Sequence, residues 1–165
     1  MSEVYNFWSK HQTQLFLNTA AASAESPSWA RLGLSTVLDV ALNAQTEDYD
    51  FIKDKNPTTV VDRYQPSIAE ECMAKEGDSC FDYLWKLFYS LPTGSECETD
   101  CLVVWPKSGT TSGSFDSWKF LATLVLNDFD AVAKKISFEI RAAGDVSKGT
   151  VTVTSGVPTF VAAAE

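Results

Sequence analysis

Between Gly77 and Gly94 the chain reads GDSCFDYLWKLFYSLPTG, the one convincing amphipathic helix pattern in a sequence whose other apolar runs mostly alternate. Phe81, Leu84, Trp85, Phe88 and Leu91 recur at helical spacing and form a single stripe. Ser79 is placed to cap the N-terminus, with Asp82 three residues on to complete a capping box. Pro92 and Gly94 end the helix. A stripe with Phe, Trp and Phe in it needs a broad apolar surface, which one face of a β-sandwich or half-open barrel offers. The stripe is therefore read as the seal over a core, with a ligand groove as the alternative.

The remaining segments predict strands. TQLFLN, Thr13 to Asn18, is a first short one. From Trp29 to Asn43 a period of two predicts one long half-buried strand, with Leu32, Leu34, Thr36, Leu38, Val40 and Leu42 on one side; a helix over its second half is the alternative, disfavoured by Gly33, Thr36 and Val37. TTVVDRY, Thr58 to Tyr64, is β-branched and reads as another. CLVVW, Cys101 to Trp105, and SWKFLATLVL, Ser117 to Leu126, follow. Ile136, Phe138 and Ile140 alternate with polar neighbours, and Thr150 to Thr154 is the last expected strand. Ser67 to Glu76 is a polar connector left without an assignment. Gln45 to Pro57 reads as a long charged connection with one apolar pair, Phe51 and Ile52. That pair is either a docking knob or folds back on its own core. The aromatics Tyr5, Phe7 and Trp8 of the N-terminal arm pose the same alternative, docking on their own domain or on another chain.

Composition narrows the function. The 165 residues suit one domain. Twenty-two acids against 13 bases give a net charge of −9, which argues against general affinity for nucleic acid. No signal peptide pattern and no membrane-length apolar run is read, so assembly in a cytoplasm is expected. Cys97 and Cys101 have a loosely zinc-like spacing, but Cys72 and Cys80 are wrongly spaced for a second ligand pair and His11 is the one histidine, so no metal is expected. No phosphate-binding glycine loop and no catalytic triad or metalloprotease signature is present, so neither an enzyme nor a cofactor is expected. The acids Glu70 and Glu71 read as solvated loop residues, like the clusters at Glu47/Asp48/Asp50 and Glu96/Glu98/Asp100. A ligand-binding β-sandwich with Trp29, Trp105 and Trp118 as a platform is the competing class.

Several runs resemble the major tail proteins, or tail tube proteins, of long, non-contractile-tailed bacteriophages. They are DKNPTTV ending at Val60, YQPS from Tyr64 to Ser67, KEGDSCFDY from Lys75 to Tyr83, and GDVSKGTVTV from Gly144 to Val153. The resemblance extends from Tyr49 to Phe160, and the Cys97 to Cys101 segment departs from it.

The resemblance implies a mainly β fold, a β-sandwich or half-barrel of antiparallel strands flanked by one helix. It implies a single tail tube domain over 1–165, with an N-terminal arm at 1–12, an inter-ring loop at 43–57 and a C-terminal tail at 156–165. Its partners would be itself, as hexameric rings stacked into a tube, and the tape measure, terminator and tip proteins of a virion tail. Genome DNA would pass through the lumen without specific binding, and no membrane would be involved. A tail terminator or connector ring is the alternative within the same particle. Given that frame, strand alternation makes Ser35, Asp39, Ser137 and Glu139 the candidates for the lumen face. Tyr5, Phe7, Trp8, Asp50, Phe51 and Ile52 are the candidates for contacts between subunits.

Overall fold

The computed structural model describes residues 7–20, 25–109 and 111–164, and in it the chain is built on a nine-stranded antiparallel sheet. The strands are β1 (Gln14–Asn18), β2 (Trp29–Arg31), β3 (Asp39–Ala41), β4 (Ala44–Tyr49), β5 (Thr58–Tyr64), β6 (Ser67–Met73), β7 (Glu98–Ser108), β8 (Phe115–Asp130), β9 (Lys135–Ala142), β10 (Ser147–Thr154) and β11 (Val157–Ala162). The helix α1 spans Ser79–Ser90. The sheet runs β2-β1-β7-β8-β9-β6-β3, with β10 paired to β8 and to β11. The mainly β architecture with one helix is thus as expected.

The two faces of this sheet have different fates. One face carries Leu15, Leu17, Val103, Phe120, Leu124, Ile136, Phe138 and Ile140 and packs against Cys80, Phe81 and Leu84 of α1. Each such side chain stabilises the fold by roughly 1.5–3 kcal/mol when fully buried. On the other face, the β10–β11 hairpin covers β1 and β7, where Phe16, Leu102, Val104 and Val151 form a second core with Phe160 packed on it. Strands β1 and β7 are therefore covered on both sides, which is why Leu15–Phe16–Leu17 and Cys101–Leu102–Val103–Val104 are buried without alternation. Strand β9 has one covered side, so Ile136, Phe138 and Ile140 are buried while Ser137 and Glu139 are not. Gly149 is required where β11 crosses: a Cβ there would lie 2.2 Å from the Val161 carbonyl oxygen.

In several places the structure departs from the sequence reading or completes it. The helix cap is Asp78 rather than Ser79; its carboxylate accepts from the Phe81 N–H at 3.0 Å. The buried side of α1 is correspondingly centred on Cys80, Phe81 and Leu84, while Trp85 is 42% and Leu91 81% exposed. Leu91 has turned into the left-handed C-cap (φ 52°), so it has left the stripe.

The expected long strand from Trp29 to Asn43 is broken into β2 and β3. Between them the Ser35 hydroxyl accepts from the Val37 N–H at 3.1 Å, a local bond that competes with a strand ladder. The unassigned polar connector is strand β6, paired along its whole length with β9. The C-terminal tail contains β11, whose Phe160 belongs to the second core.

The long charged connection is half strand. Residues 44–49 form β4, which pairs with β5 in a separate two-stranded sheet whose every residue is exposed. This arm continues the β3–β6 ladder outward from the body. The Gln65 N–H bonds the Leu42 carbonyl at 3.1 Å, and Asn43 carries the turn of direction with φ 49°.

Candidate assembly surfaces

The uncovered half of the sheet is the first surface. Cross-strand neighbours point to the same face, and the register sets Asp39 opposite Ala69, Ala69 opposite Glu139, and Glu139 opposite Val125. The next row places Glu71 opposite Ser137 and Ser137 opposite Asp128. Asp39, Ser137 and Glu139 thus share one open face. Ser35 does not join them. It lies before β3 with its hydroxyl 2.8 Å from Glu70 Oε2, and Glu70 pairs with Phe138 on the helix-covered face.

Two cations share the open face, and both are occupied. Lys135 Nζ is 2.6 Å from Glu71 Oε2, and Arg141 holds both oxygens of Glu139 at 3.0 and 3.1 Å. The hydrogen bond from Lys135, joined by one from Thr36, keeps the Glu71 carboxyl below its usual range. Asp39 and Asp128 have no ion pair among the described residues, so the face is left acidic. Lys119 is elsewhere, with its ammonium over the Phe160 ring beneath the β10–β11 cover.

The arm is the second surface. Tyr49, Val60, Val61 and Tyr64 are large and exposed along it. At its tip Phe51 stacks on Tyr49 with ring centroids 5.7 Å apart, and Ile52 is fully open to solvent. Neither folds back on the core. An isolated two-stranded hairpin is marginal in water, so apolar side chains on both of its sides favour a partner. Asp50 lies beside this pair, exposed. In the N-terminal arm Phe7 and Trp8 are 86% and 63% exposed, and Tyr5 falls outside the described residues.

The third feature is a groove of about 990 Å³ bounded by Lys10, Arg31, Val37, Leu38, Val40 and Glu70, among others. Trp105 and Trp118 line it too, packed edge-on at 5.1 Å. Trp29 packs in the second core instead, so the three tryptophans do not make a common platform. Glu70 and Glu71, read as solvated from the sequence, are buried in β6. Burial pushes the Glu70 carboxyl up to about 7. The missed signal was the alternation of Ile68 and Glu70 with Ala69, masked by two carboxylates in one strand.

The four cysteines are free thiols, and Cys72, Cys80 and Cys101 are core residues. Among the described residues no group of three or more potential metal ligands comes together. No helix is long and apolar enough to cross a membrane.

No protein-family model matches the sequence, and no curated protein matches it significantly. Solved structures do share the fold. A chain from the tail of an empty GTA particle, determined by helical refinement with C6 symmetry, superposes with a TM-score of 0.58 at 13% identity. The match covers 86% of this chain and 98% of that one. The sheath/tube terminator of the PVC extracellular contractile injection system, in its extended state, gives 0.52 at 13% identity over 88% and 99% of the two chains. The tube-terminating cap of the anti-feeding prophage gives 0.51 at 14% identity over 91% and 95%. At these identities the likeness is one of fold.

Proposed function

We propose that this chain is a non-enzymatic structural subunit of a phage-like tail, assembling as hexameric rings that stack into a tube through which DNA passes. The observation that carries the reading is the open acidic half-face of the sheet. A monomer has no use for a four-strand width of uncovered sheet ending at the short edge strand β3. A ring in which neighbours continue the sheet removes that edge and turns the open face toward one axis. Acids there repel phosphates, so DNA slides rather than sticks. The likeness of fold to a tail chain in a C6 helical assembly supports the same arrangement. Other tail proteins, a tape measure, a terminator and a tip, would be the remaining partners, and the virion tail the location.

A second reading is a tail terminator, which forms a single ring. It is favoured by the two terminator structures with the same fold. Negative-stain microscopy of the purified protein, at ordinary and at high salt, separates the two. Tubes of uniform width are expected. Rings that never stack give the terminator, and a monomer under all conditions overturns both.

A further inference from the structure

Cys72 and Cys80 meet at the seam between sheet and helix. Cys72 lies on β6 opposite Ile136, and Cys80 is the second residue of α1. Both are fully buried and belong to the same core. Their side chains are within hydrogen-bonding reach, with the Cys80 thiol donating to the Cys72 sulfur. The other two cysteines are placed differently. The Cys97 thiol donates to the Pro92 carbonyl at 3.4 Å, and Cys101 is buried within β7.

The link between the paired residues is short and tied down. The Ala74 N–H donates to the Lys134 carbonyl at 2.8 Å, and the Asp78 N–H to the Lys75 carbonyl at 3.2 Å. The hydrogen bond from Cys80 holds the Cys72 thiol below its ordinary range despite burial, so Cys72 ionises first.

We propose that Cys72 and Cys80 are an oxidisable pair, which hydrogen peroxide converts into a disulfide stapling the first turn of α1 to β6. The Cys72 thiolate attacks one peroxide oxygen, the O–O bond breaks and hydroxide leaves, so that Cys72 becomes a sulfenic acid. The Cys80 thiol then attacks that sulfur, the S–O bond breaks, and water leaves as the disulfide forms. The two thiols are oxidised and the peroxide is reduced to water. Access comes from the helix end. Terminal turns open more readily than element interiors. This one is held by the Asp78 carboxylate on the Phe81 N–H at 3.0 Å. A reducing compartment keeps both thiols reduced, and an oxidising one closes the bridge. The staple forms in a lone subunit as in a ring, so it stands apart from the tail reading.

The test treats the full chain with hydrogen peroxide, then unfolds it, alkylates it and counts thiols. Two of the four should be lost. Trypsin cuts after Arg63, Lys75 and Lys86, so peptides 64–75 and 76–86 should appear as one linked mass that dithiothreitol separates. The oxidised chain should melt roughly 5 °C higher, and dithiothreitol should abolish the difference. Asp78→Ala removes the cap and should form the same bridge at least ~3-fold faster. Persistence of all four thiols, or a bridge through Cys97 or Cys101, overturns the pairing. A 72–80 bridge without a rise in melting temperature overturns the staple. An Asp78→Ala rate equal to that of the wild type overturns the route through the helix end.

Discussion

Asn43 Nδ2 donates to Ser67 Oγ at 2.7 Å, from the strand that leaves the body to the strand that re-enters it. The same amide donates to the Gln65 carbonyl at 3.0 Å. Asn43 holds a left-handed backbone, which asparagine tolerates better than most residues. One side chain thus ties the junction between sheet and arm, beside the Gln65–Leu42 backbone bond. Asn43→Ala removes both bonds and leaves an alanine at positive φ, a strain of about 1–2 kcal/mol. Amide exchange across 44–64 should accelerate while β7, β8 and β9 keep their protection. Equal loosening of the body would show that arm and body unfold as one unit.

On the helix the sequence stripe and the packed face differ by part of a turn, and this has a measurable consequence. Leu84 is fully buried, so Leu84→Ala should cost about 2–5 kcal/mol. Trp85 lies on the flank, with its ring 5.7 Å from Phe88 and 5.9 Å from Phe129. Such ring pairs are worth about 0.5–1.5 kcal/mol each, so Trp85→Ala should be the milder change. Urea unfolding of both variants reports the order, and a larger loss for Trp85→Ala would mean that the aromatic flank, not Leu84, seals the core.

How much of this was legible depended on how many sides of a strand are covered. Strand β9 alternates because one side packs, and Ile136, Phe138 and Ile140 announced it. Strand β6 hides two carboxylates, Glu70 and Glu71, and no local pattern says that Ser35, Thr36 and Lys135 will reach them from other segments. The break after Arg31 was illegible for a similar reason. Leu32 to Val40 alternates well enough for a strand, but the Ser35 turn wins. On the open face, Asp39 and Glu139 were readable as polar positions of their own strands. That both sides flank Ala69 is a matter of register, which only the folded sheet supplies.

Glu70 gives the protein a stability that falls with rising pH. Ser35 Oγ lies 2.6 Å from the Val37 carbonyl oxygen and 2.8 Å from Glu70 Oε2. A hydroxyl has one proton, and a carbonyl can only accept, so a neutral Glu70 completes both contacts. Its carboxyl is raised from 4.5 to about 7, chiefly by burial. Between those values the native chain holds a proton that the unfolded chain has lost. The stabilisation is full below pH 4.5 and is lost as pH rises through 7, by at most about 3.5 kcal/mol at ~1.4 kcal/mol per unit. Glu71 acts in the opposite direction: its lowered carboxyl stabilises at neutral pH and ceases to do so in acid. Denaturation midpoints of Glu70→Gln should therefore be flatter than those of the wild type from pH 4.5 to 7. An unchanged slope would assign the effect to other groups.

Under the proposed tube, the open face sets how charge would affect passage of DNA. Asp39 is exposed at the start of β3 and shares its row with Glu139, across Ala69. Glu139 is already matched by Arg141, and Glu71 by Lys135, so their reach into solvent is reduced. Asp39 has no such partner among the described residues, and its field extends over the Debye length of about 8 Å at physiological salt. If six copies surround one axis, Asp39→Lys replaces a ring of repulsive charges by a ring of attractive ones. Being exposed, the substitution should leave the unfolding free energy within about 0.5 kcal/mol of wild type. Particles carrying it should have tails of normal length but release DNA slowly or incompletely, with the defect relieved at high salt. Asp39→Asn, which removes charge without reversing it, should fall between. Normal release from normal tails would take Asp39 off the lumen, and failure of tails to form would move it to a contact between subunits.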